Sequence, residues 1–147
     1  MKTGFTGTQL GMTAAQKRIV ETFLRNSRGE FQHGDCIGAD EEAHEIALGF
    51  GFLIILHPPT NRTKRAFCDA AIERMAKPYL SRNKDIVLET DQLIAAPGEE
   101  EEHIRSGTWS TVRFARSLKR TINIVLPDGR VLVENAVVPV AQAETGG

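Results

Sequence analysis

Hydrophobic and polar residues follow one another along this chain in blocks that predict strands and helices in alternation. Segments with the pattern of strands occur at Lys2 to Thr6, Glu30 to His33, Phe52 to Leu56, Gln92 to Ala96 and Thr121 to Leu126. Between them, hydrophobic residues at helical spacing predict helices from Thr13 to about Asn26, after Asp40, over Thr63 to Lys77, from about Ser81 to Glu89 and after Gly107.

The order of these segments predicts the fold class. Strands that alternate with helices form a Rossmann-like α/β domain, here an open sheet of about five strands, mainly parallel, with helices on both faces. Pro127-Asp128-Gly129 then turns the chain into a short strand, Arg130 to Glu134, which we expect to be antiparallel at a sheet edge. We assign residues 1–140 to this single domain and residues 141–147 to a flexible C-terminal tail.

Composition and charge narrow the classes of partner. With 147 residues, of which 41% are hydrophobic and 25% charged, the chain suits one soluble globular domain. A net charge of -1 provides no broad attraction to nucleic acid, which makes nucleic acid a less favoured partner. No apolar run has the length of a membrane span and no signal segment precedes the first strand. We therefore expect a cytoplasmic protein with no membrane partner, in which Cys36 and Cys68 are free thiols.

The start of the helix after Ser106-Gly107-Thr108 is the strongest candidate for a ligand site. Gly107 allows a ligand to approach the backbone closely, and Thr108 adds a hydroxyl group. The first N–H groups of a helix lack intrahelical acceptors, and the helix dipole places about half a positive charge there. We therefore predict that a phosphate binds at this helix start. The alternatives are a simple cap at a tightly packed helix start and, for Trp109, a place in the core instead of against a base.

Other loops at the same edge of the sheet complete the predicted site, because ligands of open parallel sheets bind beyond the carboxyl ends of the strands. The residues that we place there are Gly7, Thr8, Gln9, Asp35, Gly38, Asp40, His57, Pro97 and Gly98. We expect the phosphate near Gly7 and Thr8 and the sugar or base near Asp35 and Asp40, since acidic residues open the second helix and would repel a phosphate. Helix capping by Asp35 or Asp40, and packing for His57, are the alternatives.

These segments together resemble the SLOG superfamily, which includes LOG-type phosphoribohydrolases, lysine decarboxylase-like proteins and DprA-type DNA-processing proteins. The resemblance covers roughly residues 2 to 129 and rests on Thr6-Gly7-Thr8-Gln9, the stretch from His33 to Asp40, Arg82-Asn83, Pro97-Gly98 and Ser106-Gly107-Thr108. It implies a Rossmann-like fold and a ligand that is a nucleotide or a nucleotide derivative.

The chain departs from the family's phosphohydrolase motif, which reads Pro-Gly-Gly-x-Gly-Thr-x-x-Glu. Gly107-Thr108 match its Gly-Thr, but Thr111 stands where the catalytic glutamate would be, and threonine cannot carry that charge. Arg82 matches the arginine of the family's Arg-Lys element, to which the resemblance gives a catalytic role. The chain also inserts the acidic run Glu99-Glu100-Glu101-Glu102, and Glu99 and Glu100 are our candidates to replace the missing acid.

Three further groups of polar residues have open interpretations. The acidic run is a solvated loop, a lid, or a patch that bridges Mg²⁺ to phosphates. We predict no cofactor, with Mg²⁺ at this run as the one alternative. The basic cluster Asn61-Arg62-Thr63-Lys64-Arg65 is either solvated surface or a contact for a second phosphate or a nucleic-acid backbone. His33, Cys36 and His44 lack the second close ligand pair of a zinc site, so we assign no metal ligands.

These residues support a leading functional hypothesis and two alternatives. The leading hypothesis is binding of a nucleotide or nucleotide-derived small molecule, which in an enzyme would lead to hydrolysis of an N-glycosidic bond. One alternative is a non-catalytic module that senses or sequesters a nucleotide. The other is binding of single-stranded DNA in the DprA manner through Arg62, Lys64, Arg65 and Arg82. We also expect a homodimer, in which the apolar residues 136–140 either cover the core or meet another subunit.

Overall fold

The computed structural model describes residues 1–136, which form an α/β fold. The strands are β1 (Lys2–Gly7), β2 (Glu30–His33), β3 (Leu53–Leu56), β4 (Ile72–Glu73), β5 (Gln92–Ala96), β6 (Thr121–Val125) and β7 (Val131–Glu134). The helices are α1 (Ala14–Arg25), α2 (Ala39–Gly49), α3 (Tyr79–Glu89) and α4 (Gly107–Ser117), and a short 3₁₀ turn covers Arg62–Lys64.

The strands form one seven-stranded sheet in the order β4-β3-β2-β1-β5-β6-β7. All neighbouring strands are parallel except β7, which pairs antiparallel with β6 at the edge. The predicted Rossmann-like, mainly parallel sheet with an antiparallel edge strand is therefore confirmed, with β4 as an additional strand. After β4 the chain returns to the other side of β1 to form β5, so the strand order reverses between β1 and β5. The loops after these two strands flank the point where such sheets bind ligands.

Helices cover both faces of the sheet, as expected. α1 packs against α2 on one face, and α3 packs against α4 on the other. Successive residues of β5 enter opposite cores: Ile94 lies in the core under α1 and α2, whereas Leu93 and Ala95 lie in the core under α3 and α4. Because both faces are covered, this strand is apolar at consecutive positions and does not alternate with polar residues.

A capping box starts α1 and ties this helix to the carboxyl edge of the sheet. The Thr13 hydroxyl accepts a hydrogen bond from the N–H of Gln16 at 3.0 Å, and the Gln16 side chain accepts one from the N–H of Thr13 at 2.9 Å. The Gln16 amide also donates to the carbonyls of Pro97 and Val125, at 2.8 and 2.9 Å. A local helix signal in the sequence thereby fixes the loops that follow β5 and β6.

The predicted helix over Thr63 to Lys77 is wrong. Within that span the helical residues are those of the 3₁₀ turn, and Ile72–Glu73 form β4 beside β3. The residues that suggested an apolar helical face do not form one, since Phe67 is half exposed at a φ of 57° and Met75 is 82% exposed.

Asp35 provides the physical reason for this difference. Its buried carboxylate accepts hydrogen bonds from the Arg65 guanidinium at 2.7 Å and from the backbone N–H of Cys68 at 2.8 Å. Its carbonyl oxygen accepts a third from the N–H of Ala66 at 2.8 Å. These bonds take backbone donors that a helix would use and hold the segment in an irregular path. Tertiary contacts from the end of β2 thus override the local helical periodicity.

Smaller differences concern the boundaries. α3 begins at Tyr79, earlier than the predicted Ser81, and β6 ends at Val125. Cys36 and Cys68 are free thiols, as predicted. None of the helices described has both the length and the apolar character needed to cross a membrane. The predicted tail at 141–147 and residues 137–140 of the apolar stretch lie outside the described residues.

Candidate functional site

A cleft of about 410 Å³ lies at the carboxyl edge of the sheet, where the strand order reverses. The loops after β1 and β5 and the first turns of α3 and α4 form it. Its lining residues are Gly7, Thr8, Gln9, Leu10, Tyr79, Gly98, Glu99, Ser106, Gly107 and Thr108. This volume lies in the range of pockets that hold small-molecule ligands.

The start of α4 brings unpaired backbone donors to the cleft. The hydroxyl of Ser106 caps the helix by accepting a hydrogen bond from the N–H of Trp109 at 3.2 Å. The N–H groups of Gln9, Gly107 and Thr108 donate to no protein atom within residues 1–136. No acidic residue occupies the first turn of α4 itself, where the positive end of the helix dipole lies, and Glu99 is the acidic residue that lines the same cleft. An anion, above all a phosphate, is the ligand that such a helix start accepts.

Gly107 also has a role in packing. The position that a Cβ atom would occupy at this residue is filled by the ring and hydroxyl of Tyr79. Tyr79 in turn lies against Arg82, with 4.9 Å between the Arg82 Cζ atom and the ring centroid. The sequence pattern did not indicate Tyr79 as a site residue, because the predicted helix begins at Ser81 and leaves Tyr79 in a loop. A tightly packed helix start and an anion site, which the sequence left as alternatives, are therefore compatible here.

The acidic run contributes one side chain to the cleft. Glu99 lines it, and the Glu99 Oε1 atom is buried with no hydrogen-bond partner among the described residues. Glu100 pairs instead with Arg130 at 3.3 Å, and Glu102 pairs with Arg116 at 3.1 Å. Hydrogen bonding from Arg116 holds the pKa of Glu102 below its usual range. Of the two glutamates predicted to act as acids, the structure brings Glu99 to the cleft and pairs Glu100 with an arginine.

A second group of polar side chains lies beneath the loops that follow β2 and β3. We call it the buried polar cluster, and its members are His33, Asp35, Asp40, His44, His57, Arg82 and Asn83. The sequence placed several of them in the ligand site, but none of them lines the cleft. Most of their polar atoms bind one another or the backbone.

Arg82 connects three parts of this cluster. The side chain is 2% exposed, and its Nη1 atom donates to the carbonyls of Gly34 and His57, the latter at 3.0 Å. Its Nε atom donates to the Asn83 side chain at 2.7 Å. Because Gly34 follows β2 and His57 follows β3, Arg82 ties the ends of two neighbouring strands to α3. The catalytic role predicted for Arg82 stays a prediction, and its contacts in the structure are those of a structural tie.

Asp40 and Gly38 lie at the start of α2. Burial raises the pKa of Asp40 from 3.8 to about 6, although Arg82 acts in the opposite direction. The Asp40 Oδ2 atom accepts a hydrogen bond from the N–H of Cys36 at 3.3 Å. Gly38 has a φ of 91°, and a Cβ atom there would collide with the backbone of Gln9. Gly38 is therefore the residue that allows the loop after β1 to pack closely on α2.

Two buried histidines are held in the neutral form. The Nδ1 atom of His33 accepts a hydrogen bond from the N–H of Asp35 at 3.0 Å, so Nε2 carries the proton and donates to Nδ1 of His44 at 2.9 Å. Burial lowers the pKa of His33 well below its usual value and lowers that of His57 to about 4. His33, His44 and Cys68 bring potential ligand atoms within 4.8 Å of one another. Within this group, the two ring nitrogens of His33 contact the N–H of Asp35 and the ring of His44.

The remaining predicted residues divide between the cleft and the cores. Those in the cleft are Gly7, Thr8, Gln9, Gly98, Glu99, Ser106, Gly107 and Thr108. Trp109 is 2% exposed and lies in the core beneath α3 and α4. Pro97 is buried, and its carbonyl accepts the hydrogen bond from Gln16. Thr111, which stands where the family has its catalytic glutamate, is also buried. Its hydroxyl donates a hydrogen bond to the carbonyl of Gly107 at 2.9 Å.

The basic cluster is partly used within the protein. Arg65 pairs with Asp35 at 2.7 Å and with Glu73 at 2.6 Å, and Arg62 lies over the ring of Phe67. The two other cations of the DNA-binding alternative are Lys64, which is exposed, and the buried Arg82. Binding of single-stranded DNA stays a prediction, and its test is whether affinity falls steeply with added salt.

Another cavity, of about 400 Å³, lies at the opposite edge of the sheet beside Arg25, Arg28, Gly29 and Gly51. The C-terminal ends of α1 and α2 reach that edge. This is the amino edge of the sheet, whereas ligands of open parallel sheets bind beyond the carboxyl ends of the strands. The cleft is therefore the better candidate site.

Comparison with known proteins adds information about the fold. No family model matches the chain, and no curated protein matches it in sequence. The molybdenum cofactor binding protein from the phototrophic bacterium Rippkaea orientalis aligns with a TM-score of 0.67 at 18% identity, over 99% of this chain and 83% of that protein. The molybdenum cofactor carrier protein from Chlamydomonas reinhardtii aligns with a TM-score of 0.60 at 18% identity, over 84% of this chain and 76% of that protein.

A third solved structure, TM1055, aligns with a TM-score of 0.59 at 12% identity, over 83% of this chain and 72% of that protein. All three similarities are similarities of fold. They agree with the Rossmann-like fold that the SLOG resemblance implied. Two of the three proteins bind or carry a small-molecule cofactor according to their names.

Proposed function

We propose that this protein binds a phosphorylated heterocyclic small molecule in the cleft and acts as a binding or carrier protein for it. The ligand is a nucleotide or a related molecule such as a phosphorylated pterin. The observation that carries the proposal is the set of unpaired N–H groups of Gln9, Gly107 and Thr108 around a helix start without acidic residues. The fold similarity to two molybdenum cofactor proteins supports a pterin-type cofactor as one member of this class.

The donor set of the cleft fits a molecule of this kind. The molybdenum cofactor is a phosphorylated pterin, and its phosphate would take the N–H groups at the start of α4. A pterin or purine ring also presents N–H groups at its edge. Glu99 lines the cleft, and its carboxylate is a suitable acceptor for such a donor.

Ser106 allows a sharp test of the phosphate site. Both aspartate and asparagine are good helix N-caps, so Ser106→Asp and Ser106→Asn should preserve α4, but only the aspartate places negative charge where the phosphate would lie. Thermal unfolding should be measured with nucleoside mono-, di- and triphosphates, cyclic nucleotides, ADP-ribose and the molybdenum cofactor. A ligand at about a hundred times its dissociation constant stabilises the fold by roughly 2.7 kcal/mol. We expect this stabilisation, seen as a rise in the unfolding temperature, in the wild type and in Ser106→Asn but not in Ser106→Asp.

Two results would contradict the proposal. One is the absence of any shift in the wild-type protein across the whole panel. The other is an equal shift in Ser106→Asp and Ser106→Asn, which would mean that the anion does not lie at the start of α4.

A second candidate function is hydrolysis of an N-glycosidic bond, and the position of Glu99 favours it. Its carboxylate lines the cleft beside the start of α4, where an acid or base for the cleavage would be needed. The expected result is release of free base from a nucleoside monophosphate by the wild type and not by Glu99→Gln. Binding without any release in the wild type would leave the carrier function alone.

A dimeric state and a cytoplasmic location belong to the same proposal as predictions from the sequence. Sedimentation equilibrium of the purified protein, with and without ligand, tests the first. Fractionation of the cells that make the protein tests the second.

A further inference from the structure

A second cavity adjoins the cleft. It has a volume of about 250 Å³ and is lined by Gln9, Pro59, Thr60, Asn61, Lys64 and Tyr79. Gln9 and Tyr79 line both cavities and therefore form their common border. We call this second cavity the side pocket. The cleft and the side pocket are therefore neighbours at the carboxyl edge of the sheet.

Hydrogen bonds hold the walls of the side pocket in place. The Asn61 side chain accepts a hydrogen bond from the N–H of Thr63 at 3.1 Å and caps the 3₁₀ turn. The carbonyl of Lys64 accepts a hydrogen bond from the N–H of Ile37 at 3.0 Å, and the N–H of Thr60 donates to the backbone carbonyl of Lys77 at 3.1 Å. A ligand would therefore enter a formed pocket and would lose little free energy in ordering this loop.

Charge in the side pocket comes from Lys64. Its neighbours in the basic cluster are engaged, since Arg65 binds two carboxylates and Arg62 lies over an aromatic ring. Lys64 makes no ion pair with any residue in the part of the chain that the structure describes, and none of the lining residues is acidic. The side pocket thus offers one unpaired ammonium group together with neutral hydrogen-bonding side chains.

We propose that the side pocket binds the second half of a two-part ligand and that Lys64 binds an additional phosphate of that ligand. This inference rests on the proposed function, because the first half of the ligand, with the heterocycle, must lie in the cleft. The chemical class is a heterocycle joined to a second group through a pyrophosphate, as in a nucleoside diphosphate sugar. The cleft alone already has the volume of a small-molecule pocket, so the side pocket is room for more than a nucleoside monophosphate.

Matched pairs of ligands test this proposal by isothermal titration calorimetry. The pairs are AMP with ADP-ribose, GMP with GDP-mannose, UMP with UDP-glucose, and the molybdenum cofactor without and with a nucleotide joined through a pyrophosphate. For at least one pair we expect the extended ligand to bind ten-fold more tightly or better. Lys64→Gln should remove this advantage and leave the dissociation constant of the shorter ligand unchanged. Lys119→Gln is the matched control, because Lys119 follows the far end of α4 and should keep the advantage.

The outcomes separate this inference from the proposed function. Equal affinity within every pair, or an advantage that survives Lys64→Gln, would overturn the side pocket as a binding site while the cleft remains one. No binding of any ligand in the panel to the wild type would overturn the proposed function and this inference with it. Loss of the advantage in Lys64→Gln but not in Lys119→Gln supports both.

Discussion

The cleft and the buried polar cluster lie at the same edge of the sheet, yet they use polar groups in opposite ways. The cluster contains six charged or titratable side chains, which are buried and largely bound to one another or to the backbone. The cleft contains Glu99 as its charged side chain and relies on backbone N–H groups that have no protein partner. Unsatisfied donors, more than charged residues, therefore indicate where a ligand belongs at this edge.

The difference also shows how the two regions depend on each other. Arg82 holds the ends of β2 and β3, and Asp35 holds residues 65–68, which directly follow Lys64 in the wall of the side pocket. Tyr79 lies between Arg82 and Gly107 and so connects the cluster to the start of α4. The cluster supports the loops, and the loops present the donors. Substitutions in the cluster should therefore affect stability, and substitutions in the cleft should affect binding.

The largest effect should come from Arg82. Arg82→Leu leaves the carbonyls of Gly34 and His57 without a donor and should lower the free energy of unfolding by about 3 to 5 kcal/mol. Urea denaturation measures this, and Arg105→Gln, at an exposed position, is the control, with an expected change below about 0.5 kcal/mol. If Arg82→Leu were as stable as the wild type but had lost ligand binding, Arg82 would belong to the site and the comparison would fail.

Acidification should destabilise the cluster next most strongly. His57 has a folded-state pKa of about 4, so between pH 6.5 and pH 4 the unfolded chain takes up a proton that the folded chain does not. The stability that His57 contributes is complete above pH 6.5 and falls as the pH decreases, by roughly 3 kcal/mol at pH 4. His33 acts in the same direction, because its pKa is also lowered. Denaturation curves measured between pH 6.5 and pH 4 should show that the free energy of unfolding depends less on pH in His57→Gln than in the wild type.

Asp40 provides a control, because its contribution to stability should increase as the pH falls, whereas that of the histidines decreases. Its folded-state pKa of about 6 lies above its ordinary value of 3.8, so the folded protein binds a proton first as the pH falls through this window. Asp40 therefore offsets part of the loss from the histidines. Asp40→Asn should make the fall in stability between pH 6 and pH 4 steeper. If the variant's stability fell with pH as steeply as that of the wild type, or less steeply, Asp40 would still be charged in the folded protein at pH 4.

A smaller effect is expected where the two regions meet. Gly107→Ala places a methyl group against the ring of Tyr79 and should cost about 1 to 3 kcal/mol through overpacking. In a Tyr79→Ala background the same substitution should cost less, since the ring is gone. A double-mutant cycle in urea measures this coupling. Equal costs in both backgrounds would mean that Tyr79 does not require the glycine.

The smallest effect on stability should come from the cleft. Gln9→Ala removes a partly exposed side chain that makes no hydrogen bond within residues 1–136, so we expect a change in stability below about 0.5 kcal/mol. Ligand affinity should nevertheless fall by about three- to ten-fold, because Gln9 lines both the cleft and the side pocket. Calorimetry on the same protein preparation gives both values. A large loss of stability with unchanged affinity would place Gln9 with the supporting residues.

Local patterns in the sequence were sufficient for the fold class, and they included eight of the ten residues that line the cleft among the predicted site residues. The apolar runs of β3 and β5, the capping box at Thr13 and the turn before β7 each depend on neighbouring residues, and each appears where it was predicted. The rule that ligands bind where strand order reverses then selected the loops with Gly7 to Gln9 and Ser106 to Thr108. Such signals are readable because they depend on short-range sterics and hydrogen bonding.

Contacts between residues distant in the chain decided the rest. Asp35 binds the segment from Arg65 to Cys68 and prevents the helix that periodicity predicts there, and the buried position of Arg82 depends on carbonyls at the ends of β2 and β3. Whether a charged residue faces a ligand or satisfies a buried partner depends on what the fold brings against it. The pattern of residues along the chain therefore determined which loops meet at the edge of the sheet. Only the packed structure decided which of their polar groups form hydrogen bonds within the protein and which stay unpaired.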